Sequence, residues 1–332
     1  MKGVAGRALP VLAAAAIVFL ASAAGCARHP AKNGPVKLTI AFQEFVGYGP
    51  IYLARDMGFL ADEGVELVFI DEQLDSARRD AFAEGMLDCE LGTMDLLVAK
   101  RALGVPVVSA AALDHSAGAD GIAAAECIRT PKDLAGKSVA FARDDVGESL
   151  LCYVLDREGL SLADIKAVPC APNEVAGIFR AGGADAAVTW EPELSRALER
   201  PGSRLLVSSA ETPGLILDSF NVREDIVKKY PGAVKAVIRS WFRALDYYRA
   251  HPEEASASIA KYYRTTAEGY RKAVSGLRWI GYEEQDEPAE VGAQQKTFEA
   301  IAELKFRNGR ISSKPSARDA IDPALRKDLY KR

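Results

Sequence analysis

The sequence predicts an α/β protein with two doubly wound units and a helical C-terminal region. Short β-rich runs alternate with helical segments from residue 36 onward, and the same alternation starts again near Ile128. After Phe220 long amphipathic helices replace it. A chain that alternates strand and helix forms a mostly parallel sheet covered by helices, with ligand sites at the carboxyl ends of the strands. We therefore expect two lobes with a cleft between them.

The first unit opens with a β-rich run that Gly47 and Gly49 interrupt, and Pro50 then suits the first position of a helix. The strands are predicted at 36–42 and 65–70 and within 103–113, and the helices at 51–57, 76–86 and 95–102.

The second unit repeats this pattern. Its strands are predicted at 137–142, 165–168 and 184–189, and its helices at 131–134, 147–157 and 175–181.

The C-terminal region contains an apolar stripe at helical spacing. Because the apolar positions recur every three to four residues, one face of this helix is predicted to be buried, with Trp241 in the core. The stripe consists of Val234, Val237, Ile238, Trp241, Phe242, Leu245 and Tyr248.

The first 26 residues have the pattern of an export signal. Lys2 and Arg7 precede an apolar run over 8–21, and Ala23-Ala24-Gly25 precedes Cys26. We expect cleavage before Cys26 and lipidation of that cysteine, as in a bacterial lipoprotein. An ordinary secretory signal or a membrane helix is the alternative, although the run is shorter than the about 20 residues that span a bilayer. The polar segment over 26–35 would then connect the anchor to the folded body.

Charge argues against a nucleic-acid partner. The formal net charge is −4, and removal of residues 1–25 with Lys2 and Arg7 would make it −6. Because no basic block compensates for this charge, an electrostatic footprint for nucleic acid is missing.

Four cysteines remain if Cys26 carries lipid. In an oxidising compartment they allow two disulfides, and Cys152 with Cys170 is favoured because a helix and the strand after it lie close together. Four free thiols are the alternative. With no CxxC pair and only three histidines, no metal site is expected.

Several segments, in this order, resemble the periplasmic solute-binding proteins of ABC importers in the nitrate, sulfonate and taurine group, which also includes thiamine-precursor binders. They cover residues 38–282 and read FVGYGPIYLARDMGFLADEGVELV, FAEGMLDCELGTMD, LDHSAGADGI, DLAGKSVAF, AGGADAAVTWEPELS and PGLILDSFNV.

The resemblance implies a type II periplasmic binding fold, in which the chain crosses twice between two lobes. We place the crossings near 123–125 and 220–222. The implied organisation is a signal peptide over 1–25, a lipidated cysteine and tether over 26–35, lobe 1 over 36–123 and 222–332, and lobe 2 over 124–221.

The resemblance also implies an exported, lipid-anchored monomer that delivers a small molecule to a membrane permease and its ATPase. It would itself be neither an enzyme nor a cofactor protein, and no GxxxxGK[ST] segment for ATP is present.

Candidate ligand contacts in the first lobe follow its strands. Gln43, Glu44, Phe45 and Tyr48 lie at the turn after the first strand, where free backbone N–H groups are expected. Hinge-side core packing is the alternative for Phe45 and Tyr48.

Thr93 either caps the helix that it precedes or contacts a ligand. Asp114 and Ser116 are ordinary turn residues in type, and the resemblance favours a ligand-binding role for both.

In the second lobe Asp145 either caps a helix or faces the ligand. Trp190 and Glu191 follow a strand and together suit a cation or a hydrogen-bonding ring. Asp218, in the return strand, is the last candidate.

These candidates are rich in carboxylates, and Arg143 is the one base near them in the sequence. An anion site usually supplies Arg or Lys side chains. We therefore expect a cationic or neutral, nitrogen-containing ligand rather than a sulfonate or nitrate. Two other functions stay open: a ligand-sensing lipoprotein without a transporter, and a cleft enzyme similar to pyrimidine-forming or menaquinone-pathway proteins of the same fold.

Overall fold

The computed structural model describes residues 34–72 and 74–321. Within these ranges the chain forms two β-sheets with helices packed on them, which confirms the α/β prediction. The predicted signal peptide, Cys26 and residues 27–33 lie outside the described residues. In the described part of the chain, no helix has the length and apolar character needed to cross a membrane.

Eleven strands are described. They are β1 (Val36–Ala41), β2 (Val65–Ile70), β3 (Cys89–Thr93), β4 (Val107–Ser116), β5 (Asp120–Ala124), β6 (Ser138–Phe141), β7 (Lys166–Pro169), β8 (Ala186–Trp190), β9 (Arg204–Ser208), β10 (Leu217–Arg223) and β11 (Leu277–Trp279). The first sheet has the order β11-β4-β10-β3-β1-β2, and the second has the order β7-β6-β8-β5-β9.

Thirteen α-helices are described. They are α1 (Gly49–Asp56), α2 (Phe59–Asp62), α3 (Asp75–Ala83), α4 (Met94–Ala102), α5 (Val146–Arg157), α6 (Val175–Arg180), α7 (Glu193–Ala197), α8 (Glu224–Lys229), α9 (Pro231–Ala250), α10 (Pro252–Ala260), α11 (Ala267–Val274), α12 (Pro288–Arg307) and α13 (Ala317–Ala320). The predicted helix at 131–134 is a 3-10 turn, Pro131–Leu134.

Both sheets are mixed, and the prediction of mostly parallel sheets is wrong. β1 is parallel to β2 and β3, and β6 is parallel to β7 and β8. In contrast, β10 is antiparallel to β3 and β4, and β5 is antiparallel to β8 and β9. Because β5 and β10 each arrive directly from the other sheet, no crossover helix requires them to run parallel to their neighbours.

The chain passes between the sheets earlier than predicted. β4 ends at Ser116 in the first sheet and β5 starts at Asp120 in the second, while the return runs from Ser208 to Leu217. The crossings therefore lie at 117–119 and 209–216, whereas the predicted positions fall at the end of β5 and inside β10. Gly118 in the first crossing has a φ of 136°, which favours glycine, and this residue was a signal that could have located the crossing.

A hydroxyl group joins the two crossings. Ser209 Oγ lies 2.7 Å from Ser116 Oγ and accepts a hydrogen bond from the Gly118 backbone N–H at 2.7 Å. It also lies 3.3 Å from the Asp120 backbone nitrogen, which donates to it. These bonds hold both connections between the sheets together at one point.

The main apolar core includes the buried face of α9. All seven predicted stripe residues of this helix are buried, and Trp241 is 2% exposed within the core cluster. The predicted core role of Trp241 is confirmed. Apolar residues at this spacing lie on one face of the helix, and that apolar face packs into the core.

The predicted disulfide between Cys152 and Cys170 is wrong, since both are free, as are Cys89 and Cys127. Cys170 packs with the cluster on the α6 side of the second sheet. Cys152 lies on α5, whose apolar residues join the other cluster. Cys152 lies near the charged side chains of Glu148, Lys305 and Arg310, whereas Cys170 lies near Glu174, so the two thiols have different surroundings.

Candidate functional site

A cavity lies between the two sheets, at the carboxyl ends of β1, β3 and β8 and the first residues of β5, β10 and α5. We call it the inter-sheet cavity. Its lining combines polar, aromatic and apolar side chains from both sheets: Gln43, Phe45, Tyr48, Thr93, Asp120, Val146, Trp190, Ile216 and Asp218. This is the position where α/β sheets place ligand sites.

Close packing shapes the wall that follows β1. The predicted turn after β1 is present as a 3-10 turn over Val46–Tyr48, and Gly47 and Gly49 do not adopt positive φ in it. A Cβ on Gly47 would lie 3.0 Å from Asp114 Oδ2, and one on Gly49 would overlap the Tyr270 hydroxyl. Glycine here lets Phe45 and Tyr48 approach the first sheet, where their rings form an edge-on pair 5.2 Å apart.

Thr93 presents an unsatisfied hydroxyl to the cavity. It ends β3 and precedes α4, yet its side chain does not cap that helix. Thr93 is 6% exposed, and its Oγ1 has no hydrogen-bond partner within the described residues. A buried hydroxyl without a partner is costly, and a ligand group can satisfy it.

Two carboxyl groups face each other beneath the cavity. Asp114 and Asp218 are directly opposite in the register of β4 and β10, and both are fully buried. Burial, with the neighbouring Asp218, raises the pKa of Asp114 well above its usual range. Burial also raises the pKa of Asp218 to about 7, and Tyr48 donates a hydrogen bond to its Oδ1. The raised pKa favours the protonated form of Asp114, whose O–H can donate to the opposite Asp218 carboxylate.

A third carboxyl group, Asp120, enters from the second sheet. It is 3% exposed, and its Oδ2 has no hydrogen-bond partner in the described ranges. Burial, reinforced by the charges of Asp218 and Asp145, raises its pKa to about 8. No Arg, Lys or His is among the described residues that line the cavity.

Two hydrogen bonds connect the sheets across the cavity. Gln43 donates its side-chain amide to the Asp145 carboxylate, and Trp190 Nε1 donates to the Glu44 carbonyl at 3.3 Å. The remaining cavity volume is about 10 Å³, close to that of a single water. A solute of several heavy atoms therefore needs more room than this arrangement provides.

Six of the eleven predicted contacts line the inter-sheet cavity. They are Gln43, Phe45, Tyr48, Thr93, Trp190 and Asp218.

The other five lie close by in different roles. Glu44 contributes its carbonyl to Trp190, and Asp114 lies behind Asp218. Asp145 caps α5 by accepting the Val146 N–H at 2.6 Å, and Glu191 accepts the Ser195 hydroxyl at 2.8 Å at the start of α7. Ser116 bonds Ser209 at the crossings.

Sequence reasoning missed Asp120, Val146 and Ile216. Asp120 belonged to the quoted segment LDHSAGADGI, but it was treated as part of a turn rather than as the first residue of a strand. Arg143, considered as a nearby base, is exposed and does not line the cavity. Within the described residues no group of three His, Cys, Asp or Glu side chains could hold a metal ion.

The chain is similar to known proteins in sequence and in fold. The chain is 26% identical over 323 residues to the putative aliphatic sulfonates-binding protein of Bacillus subtilis, and the match covers 92% of each chain. It is 25% identical over 232 residues to the 4-amino-5-hydroxymethyl-2-methylpyrimidine phosphate synthase of Candida albicans, covering 64% of this chain and 67% of that one.

Among solved structures, the periplasmic aliphatic sulphonate binding protein SsuA from Escherichia coli superposes with a TM-score of 0.71 at 21% identity. The superposition covers 90% of this chain and 99% of that one. The fold is therefore that of periplasmic binding proteins, as the sequence resemblance predicted.

The family model described as "NMT1/THI5 like" matches residues 47–255, which is more than half of the chain. This range includes all the cavity-lining residues except Gln43 and Phe45. The chain belongs to the NMT1/THI5-like family.

Proposed function

We propose that this protein is the exported solute-binding component of an ABC importer, and that it captures a small polar molecule in the inter-sheet cavity and delivers it to a membrane permease. The observation that carries the proposal is the cavity itself, whose lining comes from both sheets. A solute bound there would contact both sheets at once and so favour their closed arrangement. The similar proteins from Bacillus subtilis and Escherichia coli are named as sulfonate-binding proteins, which supports the transport role.

The two sheets with their helices would act as lobes that open and close about the crossings at 117–119 and 209–216. Ser209 joins both crossings and would remain at the pivot, while the Gln43 to Asp145 bond would break on opening. Hinges of this kind use a few residues at the ends of strands.

For the ligand we propose a cationic or neutral, nitrogen-containing molecule. Carboxyl groups from both sheets reach the cavity, and Trp190 supplies an aromatic ring. The helices α4 and α5 also begin at the cavity, and helix N-termini favour anions. However, the Asp145 carboxylate already occupies the N-terminus of α5, which leaves less of that attraction for a sulfonate.

A thermal-shift screen of the chain from Ala27 onward tests the proposal with amines, amidines, pyrimidines, sulfonates, nitrate and amino acids. A ligand at 100 times its Kd stabilises the native state by about 2.7 kcal/mol, which raises Tm by a few degrees. Trp190→Leu should abolish the shift, whereas Leu205→Ala, at an exposed position of β9, should retain it. A solute that stabilises all three proteins equally would contradict binding in this cavity.

Cys26 is the proposed lipidation site. Metabolic labelling with a radioactive fatty acid should mark the wild-type protein in bacterial membranes and leave Cys26→Ser unlabelled. Release of both proteins into the soluble fraction would contradict the anchor. Uptake of the identified solute by cells with and without the gene then separates an importer component from a sensor.

An enzymatic function is the second candidate, since the Asp114 and Asp218 pair holds a proton near neutral pH and one relative is a pyrimidine phosphate synthase. NMR of a bound solute over several hours distinguishes the two. An unchanged spectrum supports binding, and new resonances that disappear in Asp218→Asn support catalysis.

A further inference from the structure

The carboxyl group of Asp120 is the cavity group with the least satisfied hydrogen-bonding capacity in the second sheet. We propose that Asp120 binds a cationic nitrogen of the solute and releases its own proton to water when it does so. The inference rests on the proposed solute-binding function and adds the residue, the charge of the ligand and a proton exchange.

The position of Asp120 is rigid. It is the first residue of β5, it pairs with Trp190 of β8, and its backbone N–H donates to Ser209 Oγ at the crossings. Its side chain lines the cavity, where Oδ2 lacks a partner within the described residues. A carboxyl oxygen held in this way presents a fixed acceptor to a solute that lies against Trp190.

Polar groups on four neighbouring elements act on Asp120. The Ser116 hydroxyl of β4 hydrogen-bonds to the carboxyl group, and the carboxyl groups of Asp218, Asp145 and Glu191 act on it from β10, the start of α5 and the end of β8. Three neighbouring acids and burial favour the neutral form of Asp120 when the cavity holds no cation. A ligand cation reverses this preference, because it supplies the opposite charge that the site lacks.

The exchange balances in charge. The O–H bond of the Asp120 carboxyl group breaks, the proton goes to bulk water, and the carboxylate forms an ion pair with the cationic nitrogen of the ligand. The cavity therefore gains one positive charge and loses one. Thr93 Oγ1, which also lacks a partner in the described part of the chain, can accept a further N–H group of a planar cation.

Isosteric probes of different charge isolate this effect. Acetamidinium, acetamide and acetate have the same planar shape and carry charges of +1, 0 and −1, and methanesulfonate represents the class bound by the named relatives. Calorimetric titration at neutral pH in two buffers of different ionisation enthalpy measures affinity and the number of protons released together.

We expect acetamidinium to bind at least about tenfold more tightly than acetamide, a difference of about 1.4 kcal/mol, with release of nearly one proton. Asp120→Asn should remove both the preference and the proton release, because the amide is neutral and isosteric with the protonated acid. The control Asp164→Asn removes an exposed acid and should change neither. Circular dichroism of each variant confirms that it folds.

Three results would overturn the inference: equal or tighter binding of acetate or methanesulfonate, acetamidinium binding without proton release, or no acetamidinium binding at tens of millimolar. Methanesulfonate binding would leave the proposed solute-binding function standing and replace only the ligand class. Failure of the wider solute screen would instead count against the proposed function.

Discussion

Gln43 donates a hydrogen bond to the Asp145 carboxylate, and this bond joins the segment after β1 to the first turn of α5. Gln43 follows β1 of the first sheet, and Asp145 follows β6 of the second sheet. The bond therefore exists only while the two sheets are close. The same carboxylate caps α5, so it is held in place before Gln43 reaches it. We interpret the pair as a contact of the closed state.

Replacing Gln43 with leucine tests this interpretation. A hydrogen bond to a charged group contributes about 1.5–3 kcal/mol, and its loss should shift ligand-free protein towards the open arrangement. Small-angle X-ray scattering should then give a larger radius of gyration for Gln43→Leu. The control Glu66→Gln, at the exposed pair with Lys37, should scatter like the wild type, and an unchanged radius for both would contradict the closed-state role.

The buried acids predict an unusual dependence of stability on pH. Burial raises the pKa of Asp120 from its ordinary value of 3.8 to about 8. The stability contributed by its proton is therefore fully present below pH 4 and is lost as pH rises through about 8. The loss is at most about 6 kcal/mol, at about 1.4 kcal/mol for each pH unit.

The side-chain amide in Asp120→Asn does not titrate, so this variant has no such loss of stability. We therefore expect the variant to become more stable than the wild type as pH increases from 5 to 9, when unfolding by urea is followed at each pH. Groups that do not interact with Asp120 titrate equally in both proteins and cancel from the difference, so the remaining slope belongs to Asp120 and the acids coupled to it. A constant difference in unfolding free energy across this range would show that Asp120 has an ordinary pKa.

A buried ion pair holds α4 and α12 together. Lys305 Nζ lies 3.0 Å from Asp95 Oδ2, both side chains are about 5% exposed or less, and Ser149 of α5 donates to the same oxygen. Removing one partner leaves a buried charge, so Lys305→Met should cost about 3–5 kcal/mol of unfolding free energy.

The matched control is Arg307→Met in the same helix. Arg307 pairs with Asp156 at 2.8 Å, but both side chains are about half exposed, and such pairs contribute about 0–1 kcal/mol. Denaturant titrations of the two variants should therefore differ by several kcal/mol. Equal destabilisation would mean that water reaches Asp95 and Lys305.

Gly49 is expected to tolerate no side chain. A Cβ there would overlap the Tyr270 hydroxyl, which donates to the Val46 carbonyl at 3.0 Å. Gly49→Ala should reduce unfolding free energy by about 1–3 kcal/mol, and Tyr270→Phe in the same chain should recover part of the loss by making room. Gly177→Ala, in α6 with open space around it, should instead stabilise by up to about 1 kcal/mol. A Gly49→Ala protein as stable as the wild type would contradict the close contact.

Local patterns were enough to predict most elements and part of the site. The strand over 65–70 and the buried face of α9 follow from side-chain periodicity alone, because each residue's environment repeats with the geometry of its own element. Thr93 and Trp190 were predicted at the cavity because each ends a strand. The predicted disulfide failed because spacing along the chain does not reveal which side of a helix faces which side of a sheet.

The sequence by itself determined the α/β class, the two repeated units and the family, since these depend on order and periodicity along the chain. Only the tertiary structure decided that β5 and β10 run antiparallel, that the crossings lie at 117–119 and 209–216, and that Asp120 faces Asp218. Asp120 and Asp218 are far apart in sequence, and burial is the main cause of the raised pKa of each. Burial depends on what packs around a residue from the whole chain, so no local pattern could have identified it.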